Sequence, residues 1–112
     1  ITAESYKAYQ QAASYERGGK LTDAEASIRR AIALDPDDPF NLIKLAGILV
    51  AEGKQQEAIG LYRRAIQLNP QDSMLNFSLG NLYEQTGDYK LALDAYERAL
   101  KANPTYRFGL LN

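Results

Sequence analysis

The stretch Arg29-Arg-Ala-Ile-Ala-Leu-Asp-Pro36 returns as Arg63-Arg-Ala-Ile-Gln-Leu-Asn-Pro70 and again as Glu97-Arg-Ala-Leu-Lys-Ala-Asn-Pro104, each copy 34 residues after the last. A constant interval of this kind makes the interval itself the structural unit, because one such piece cannot bury its apolar face alone and must stack on a neighbour. Other columns keep the same spacing: Gly19, Gly53 and Gly87; Ala24, Ala58 and Ala92; Ala31, Ala65 and Ala99; Pro36, Pro70 and Pro104.

Within each interval the apolar residues follow a helical period twice, with glycine between the two runs. In the second unit Leu42, Leu45 and Leu49 share a face before Gly53, and Ala58, Tyr62, Ala65 and Ile66 share one after it. Each glycine marks the bend of a helix hairpin, where a left-handed residue is often needed. Each proline ends the second helix, since it lacks a donor and drives its predecessor out of helical geometry. Asp38 before Pro39 reads as an N-cap with proline at the first helical position, and Asp72 or Ser73 caps the next first helix.

Composition sets further bounds. A chain of 112 residues, 46% hydrophobic and 24% charged, suits one folded domain rather than a disordered or collagen-like segment. Its longest apolar run, Leu45 to Ala51, is far short of the ~20 residues that cross a bilayer, so no membrane insertion is expected. A net charge of −1 without basic blocks offers no footprint for a phosphate backbone, which argues against nucleic acid. Cysteine and histidine are both absent, removing the usual zinc ligands, thiol nucleophiles and the side chain best suited to proton transfer near neutral pH. No nucleophile–base pair or glycine-rich phosphate cradle can be assembled, and the expectation is a protein that is not an enzyme and needs no cofactor. The first residue is Ile1, which leaves open a removed leader or a longer parent chain. A soluble chain, cytoplasmic rather than exported, is the working expectation.

The columns resemble the tetratricopeptide repeat (TPR) family. Leu79-Gly80, Tyr83, Gly87, Ala92, Tyr96, Ala99 and Pro104 match its pattern in the third unit. The second keeps Leu45-Ala46, Leu49, Gly53, Ala58, Tyr62, Ala65 and Pro70, and the first keeps Tyr15, Gly19, Ala24, Ile28, Ala31 and Pro36. Departures gather at the start of each first helix, where the family's large aromatic is replaced by Ala8, Leu42 and Asn76, and Gln11 stands for a leucine. The resemblance implies an all-α fold: a right-handed α-solenoid of three helix-turn-helix TPR units (5–38, 39–72 and 73–106) in a single domain, with 107–112 starting a further helix or cap. It also places Tyr15, Tyr62, Tyr83 and Tyr96 in columns of the interhelix core.

In such arrays the first helices line a concave groove, and the resemblance implies that Tyr6, Tyr9, Phe40, Ile43, Met74 and Phe77 face a ligand there, with Gln10, Lys44 and Asn81 as polar neighbours. The expected partner is a protein segment, a peptide or helix with apolar or aromatic anchors. The family's carboxylate-clamp members, which grip the C-terminal tail of heat-shock chaperones, need Lys and Asn where Tyr9 and Ala13 stand, Asn at Lys44, and Lys and Arg at Met74 and Ser78. That partner is disfavoured, since none of the five matches. A rival reading is a homodimer through the uncapped C-terminal end, using Leu91, Leu100, Phe108, Leu110 and Leu111. In another, the domain binds a segment of its own parent protein and regulates it.

Overall fold

A computed structural model describes residues 2–104, and Phe108, Leu110 and Leu111 lie outside them. The described residues form six helices and no strand: α1 (Ala3–Arg17), α2 (Leu21–Leu34), α3 (Pro39–Ala51), α4 (Gln55–Leu68), α5 (Ser73–Gln85) and α6 (Tyr89–Ala102). The chain divides into two compact units, up to Leu61 and from Tyr62 onward, with the division inside α4.

Each boundary has a local cause. At α1 the Thr2 hydroxyl accepts from the Ser5 amide and the Ser5 hydroxyl accepts from the Thr2 amide, both at 3.1 Å, closing a reciprocal cap. Asp38 caps α3 by accepting from the Phe40 amide at 3.0 Å, with Pro39 at the first helical position. Of the two residues that could cap α5, Asp72 does so, accepting from the Leu75 amide at 3.1 Å. Gly19, Gly53 and Gly87 adopt φ of 74°, 81° and 84°, so the hairpin bends need a residue without a Cβ.

In the first unit α1 packs on α2, and α3 on both. Alanines make the close approach of α1 and α2 achievable: Ala8, Ala12, Ala24 and Ala31 are at most 1% exposed, beside the fully buried Ile28. On α3, Leu42, Leu45, Ile48 and Leu49 are buried. In the second unit α5 packs on α6, with Leu75, Leu79, Leu82 and Tyr83 buried on one helix and Ala92, Ala95 and Ala99 on the other. Tyr62 and Tyr96 are half-buried. Tyr15 departs from the core reading: its carbonyl accepts from the Lys20 amide in the first bend, while its side chain stays 39% exposed. At the position of the missing leucine, Gln11 is half-buried and accepts a hydrogen bond from Arg30.

A charged cluster ties the first unit's second helix to the bend that follows α3. Arg29 donates to Glu25 at 2.9 Å and to Glu57 at 2.7 Å, and Lys54 lies 3.5 Å from Glu25 and 3.7 Å from Glu52. Hydrogen bonding to Arg29 holds Glu25 below the usual carboxylate range. Glu52, hydrogen-bonded to Glu25 and partly desolvated, is pushed above it. Folded Glu52 therefore binds its proton more tightly than the unfolded chain, and its contribution to stability is lost as pH rises from 4.5 through its raised pKa. Glu25 acts in the opposite sense, adding stability as pH rises. Glu52→Gln removes only the unfavourable half. It should stabilise the protein by under about 1 kcal/mol at pH 7 and leave it unchanged near pH 3, as read by urea unfolding.

Candidate functional site

The first helices carry the residues expected to face a ligand, and each unit holds part of the set. In the first, Tyr6 on α1 is 50% exposed and Phe40 on α3 is 70% exposed, an unusual degree for a phenylalanine. Tyr9, Ile43 and Lys44 are half-buried, and Gln10 is exposed. Lys44 brings the two helices together: its Nζ lies 3.0 Å from the Glu16 carboxylate and 5.4 Å from the centre of the Tyr9 ring. This cation, read from the sequence as a polar neighbour of the stripe, is thus already neutralised. Its role in the unit is to fix the Tyr9 ring between α1 and α3.

In the second unit Met74 is 65% exposed and Asn81 is exposed, whereas Phe77 is half-buried. The Phe77 ring sits 5.7 Å from that of Tyr96, tilted by 45°. Tyr96 organises this surface. Its hydroxyl lies 2.7 Å from the Asn81 side-chain oxygen and 2.6 Å from the Glu84 carboxylate, so its single proton serves both acceptors. Burial, then the hydrogen bond and charge of Glu84, push the phenol up to about 12, and it stays a donor throughout the neutral range. The ring reaches these partners because it lies directly on Gly80, where a Cβ would stand 2.6 Å from its Cε1. Beside it Asn81, Glu84 and Gln85 line an open recess of about 340 Å³.

Two features escaped the sequence reading. On α6, Leu91 is 50% exposed and Leu100 half-buried as components of an apolar edge, but Tyr89 and Leu93, at 68% and 60%, are more exposed than either. Tyr89, Leu93, Tyr96 and Leu100 share one helical face. Ile59, which occupies in α4 the column of Leu93, is only 5% exposed. That contrast in column exposure is invisible in a sequence whose three units share the same pattern.

The second is a cleft of about 300 Å³ between the C-terminal half of α4 and α6, reached by Asn76 of α5. Asn76 is 1% exposed. Its side-chain nitrogen donates to the Asp72 carbonyl at 3.0 Å and the Pro70 carbonyl at 3.4 Å, while its oxygen is buried without a donor. Leu42 holds the same column one repeat earlier and is fully buried. Restoring leucine removes an unsatisfied acceptor and fills space, so Asn76→Leu should stabilise the fold by ~1–2 kcal/mol in thermal or urea unfolding. A loss of stability would show that the amide's two backbone bonds outweigh its unmet oxygen.

Comparison with known proteins identifies the repeat. The tetratricopeptide-repeat family model matches residues 9–73 and 43–107. No curated protein matches the sequence at a significant level. Among solved structures, MamA superposes with a TM-score of 0.82 at 25% identity, covering 89% of this chain and 58% of MamA. The chain therefore spans less than two thirds of that relative. The first TPR of Spaghetti (RPAP3), bound to the HSP90 peptide SRMEEVD, gives a TM-score of 0.84 at 19% identity, covering 93% of this chain and 82% of the other. The Yersinia enterocolitica type III secretion chaperone SycD, in complex with a peptide of the translocator YopD, gives 0.84 at 19% identity over 96% and 84%. With two overlapping family matches that together cover most of its length, the chain belongs to the tetratricopeptide repeat family.

Proposed function

We propose that the chain is a protein-interaction scaffold whose first helices hold a segment of a partner protein through apolar and aromatic anchors. The observation that carries this reading is the exposure of Phe40 and Met74, 70% and 65%, at one column of successive repeats. Large apolar side chains held in water at a repeated position stabilise nothing in the free protein; covered by a partner, each contributes ~1.5–3 kcal/mol. The peptide complexes of the Spaghetti domain and SycD support binding of this general kind.

The chemistry of the surface narrows the ligand. Lys44 is satisfied by Glu16 and Tyr9, and Tyr9, Ala13, Met74 and Ser78 supply no cation or carboxamide, so a C-terminal carboxylate finds no ready clamp. A heat-shock chaperone tail is accordingly disfavoured, and an internal peptide or amphipathic helix fits better. Panning a random peptide display library, with counter-selection on a folded Phe40→Ala/Met74→Ala double variant, should enrich aromatic or aliphatic motifs that the variant does not retain. Enrichment of acidic C-terminal motifs alone, or none, would overturn the reading.

The apolar face of α6 supports self-association as a second reading, with Tyr89 and Leu93 at its exposed end and Leu100 further along; Leu91, on another side of the helix, and Phe108, Leu110 and Leu111 belong to the same proposal. Sedimentation at rising concentration should then show a dimer that Leu93→Lys removes.

A further inference from the structure

Towards its C-terminal end the α5 stripe turns from apolar to acidic. Met74, Phe77, Asn81 and Glu84 follow one another at helical spacing on one face, and Asn81, Glu84 and Gln85 line the open recess of about 340 Å³. All three lining residues are exposed, and the carboxylate of Glu84 is the one charge among them. It accepts from the Tyr96 hydroxyl at 2.6 Å, and among the described residues no lysine or arginine pairs with it. Glu16, in the same column of the first unit, has Lys44 as its counter-ion at 3.0 Å. The column therefore takes a cation where one is supplied, and in the second unit none is.

We propose that this recess receives an arginine side chain of the partner segment held on the first-helix stripe. It rests on that reading and adds the charge the segment carries. An exposed carboxylate usually gains little from a cation, because two long side chains must be held in one geometry. Here one of them is already held: Tyr96 grips Glu84, and the Tyr96 ring is itself fixed on Gly80 and against Phe77. The phenol's single proton faces two acceptors, Asn81 at 2.7 Å and Glu84 at 2.6 Å, so lone pairs outnumber donors. Turning the Asn81 amide over changes which atom meets the hydroxyl and leaves the carboxylate's charge uncompensated. A guanidinium supplies five donors and no acceptor, and its planar fork spans two neighbouring oxygens, whereas an ammonium is a point charge that gains less from the second. From Met74 to Glu84 the helix rises ~15 Å. An extended segment anchored on Met74 thus carries its arginine about four or five residues away, at ~3.3 Å per residue.

The probe is a random dodecapeptide display library panned on the wild type, Glu84→Gln and Glu84→Lys. Glutamine keeps an oxygen for the Tyr96 hydroxyl, and both variants alter an exposed position, so each should melt with the wild type. On the wild type, arginine should be enriched about four or five residues from the apolar anchor. On Glu84→Gln the apolar motif should persist without it, and on Glu84→Lys the same position should turn acidic, a reversal that a purely structural Glu84 would not produce. For a peptide synthesised from the wild-type pool, replacing its arginine by alanine should weaken binding about tenfold and flatten its salt dependence, and replacing it by lysine about threefold, as read by fluorescence anisotropy. An apolar motif with no arginine preference, an arginine preference that survives in Glu84→Gln, or equal affinity of the lysine peptide overturns the proposal and leaves the first-helix reading standing. Enrichment of no motif at all overturns both.

Discussion

Leu45→Ala is expected to lower the unfolding free energy by ~3 kcal/mol or more, a large share of what a domain of this size possesses. Leu45 is 2% exposed on α3, the helix packed against both α1 and α2, and its neighbours Leu42, Ala46 and Leu49 are fully buried. No part of that surroundings can collapse inward without moving a helix, so the lost methyl groups leave a cavity rather than a repacked core. Urea denaturation followed by circular dichroism measures the effect. A cost under about 1 kcal/mol would show that α3 is not the centre of the first unit.

The second large effect is a pair of identical substitutions with opposite signs. Gly80→Ala places a methyl group 2.6 Å from Cε1 and 2.7 Å from Cδ1 of Tyr96. The ring cannot step aside freely, because its hydroxyl is held by Asn81 and Glu84 and its face by Phe77. A cost of ~2–3 kcal/mol follows from this overpacking. Gly47, inside α3, has nothing within 4 Å of where its Cβ would stand. There the alanine improves helix propensity and restricts the unfolded chain, and Gly47→Ala should gain ~0.5–1 kcal/mol. Equal costs for both would mean that Tyr96 does not rest on Gly80.

How far the sequence alone leads can be judged residue by residue. Gly19, Gly53 and Gly87 announced left-handed bends because that geometry penalises every side chain, and Asp38-Pro39 announced a helix start because both residues act through their own backbone. These are local requirements, and a single sequence displays them. What it hid depends on distances between helices. Lys44 was legible only as a polar neighbour of the stripe, and its pairing with Glu16 and Tyr9, some thirty residues earlier, was not. Phe77 read as a ligand anchor, yet half of it is committed to Tyr96. Tyr15 fell in a core column and stayed at the surface. Asn76 was noticed as a departure from the repeat pattern, but neither its unmet oxygen nor the cleft beside it could be read from its identity.

The division of labour between a buried scaffold and a binding surface on the first helices is tested most directly by measuring stability and binding on one variant. For Phe40→Ala/Met74→Ala, against a peptide selected on the wild type, the melting temperature should stay within about 2 °C, since both side chains are largely solvated. Affinity for the peptide should fall about 30-fold or more. Unchanged affinity, or a loss of binding that merely tracks a loss of fold, would contradict the account.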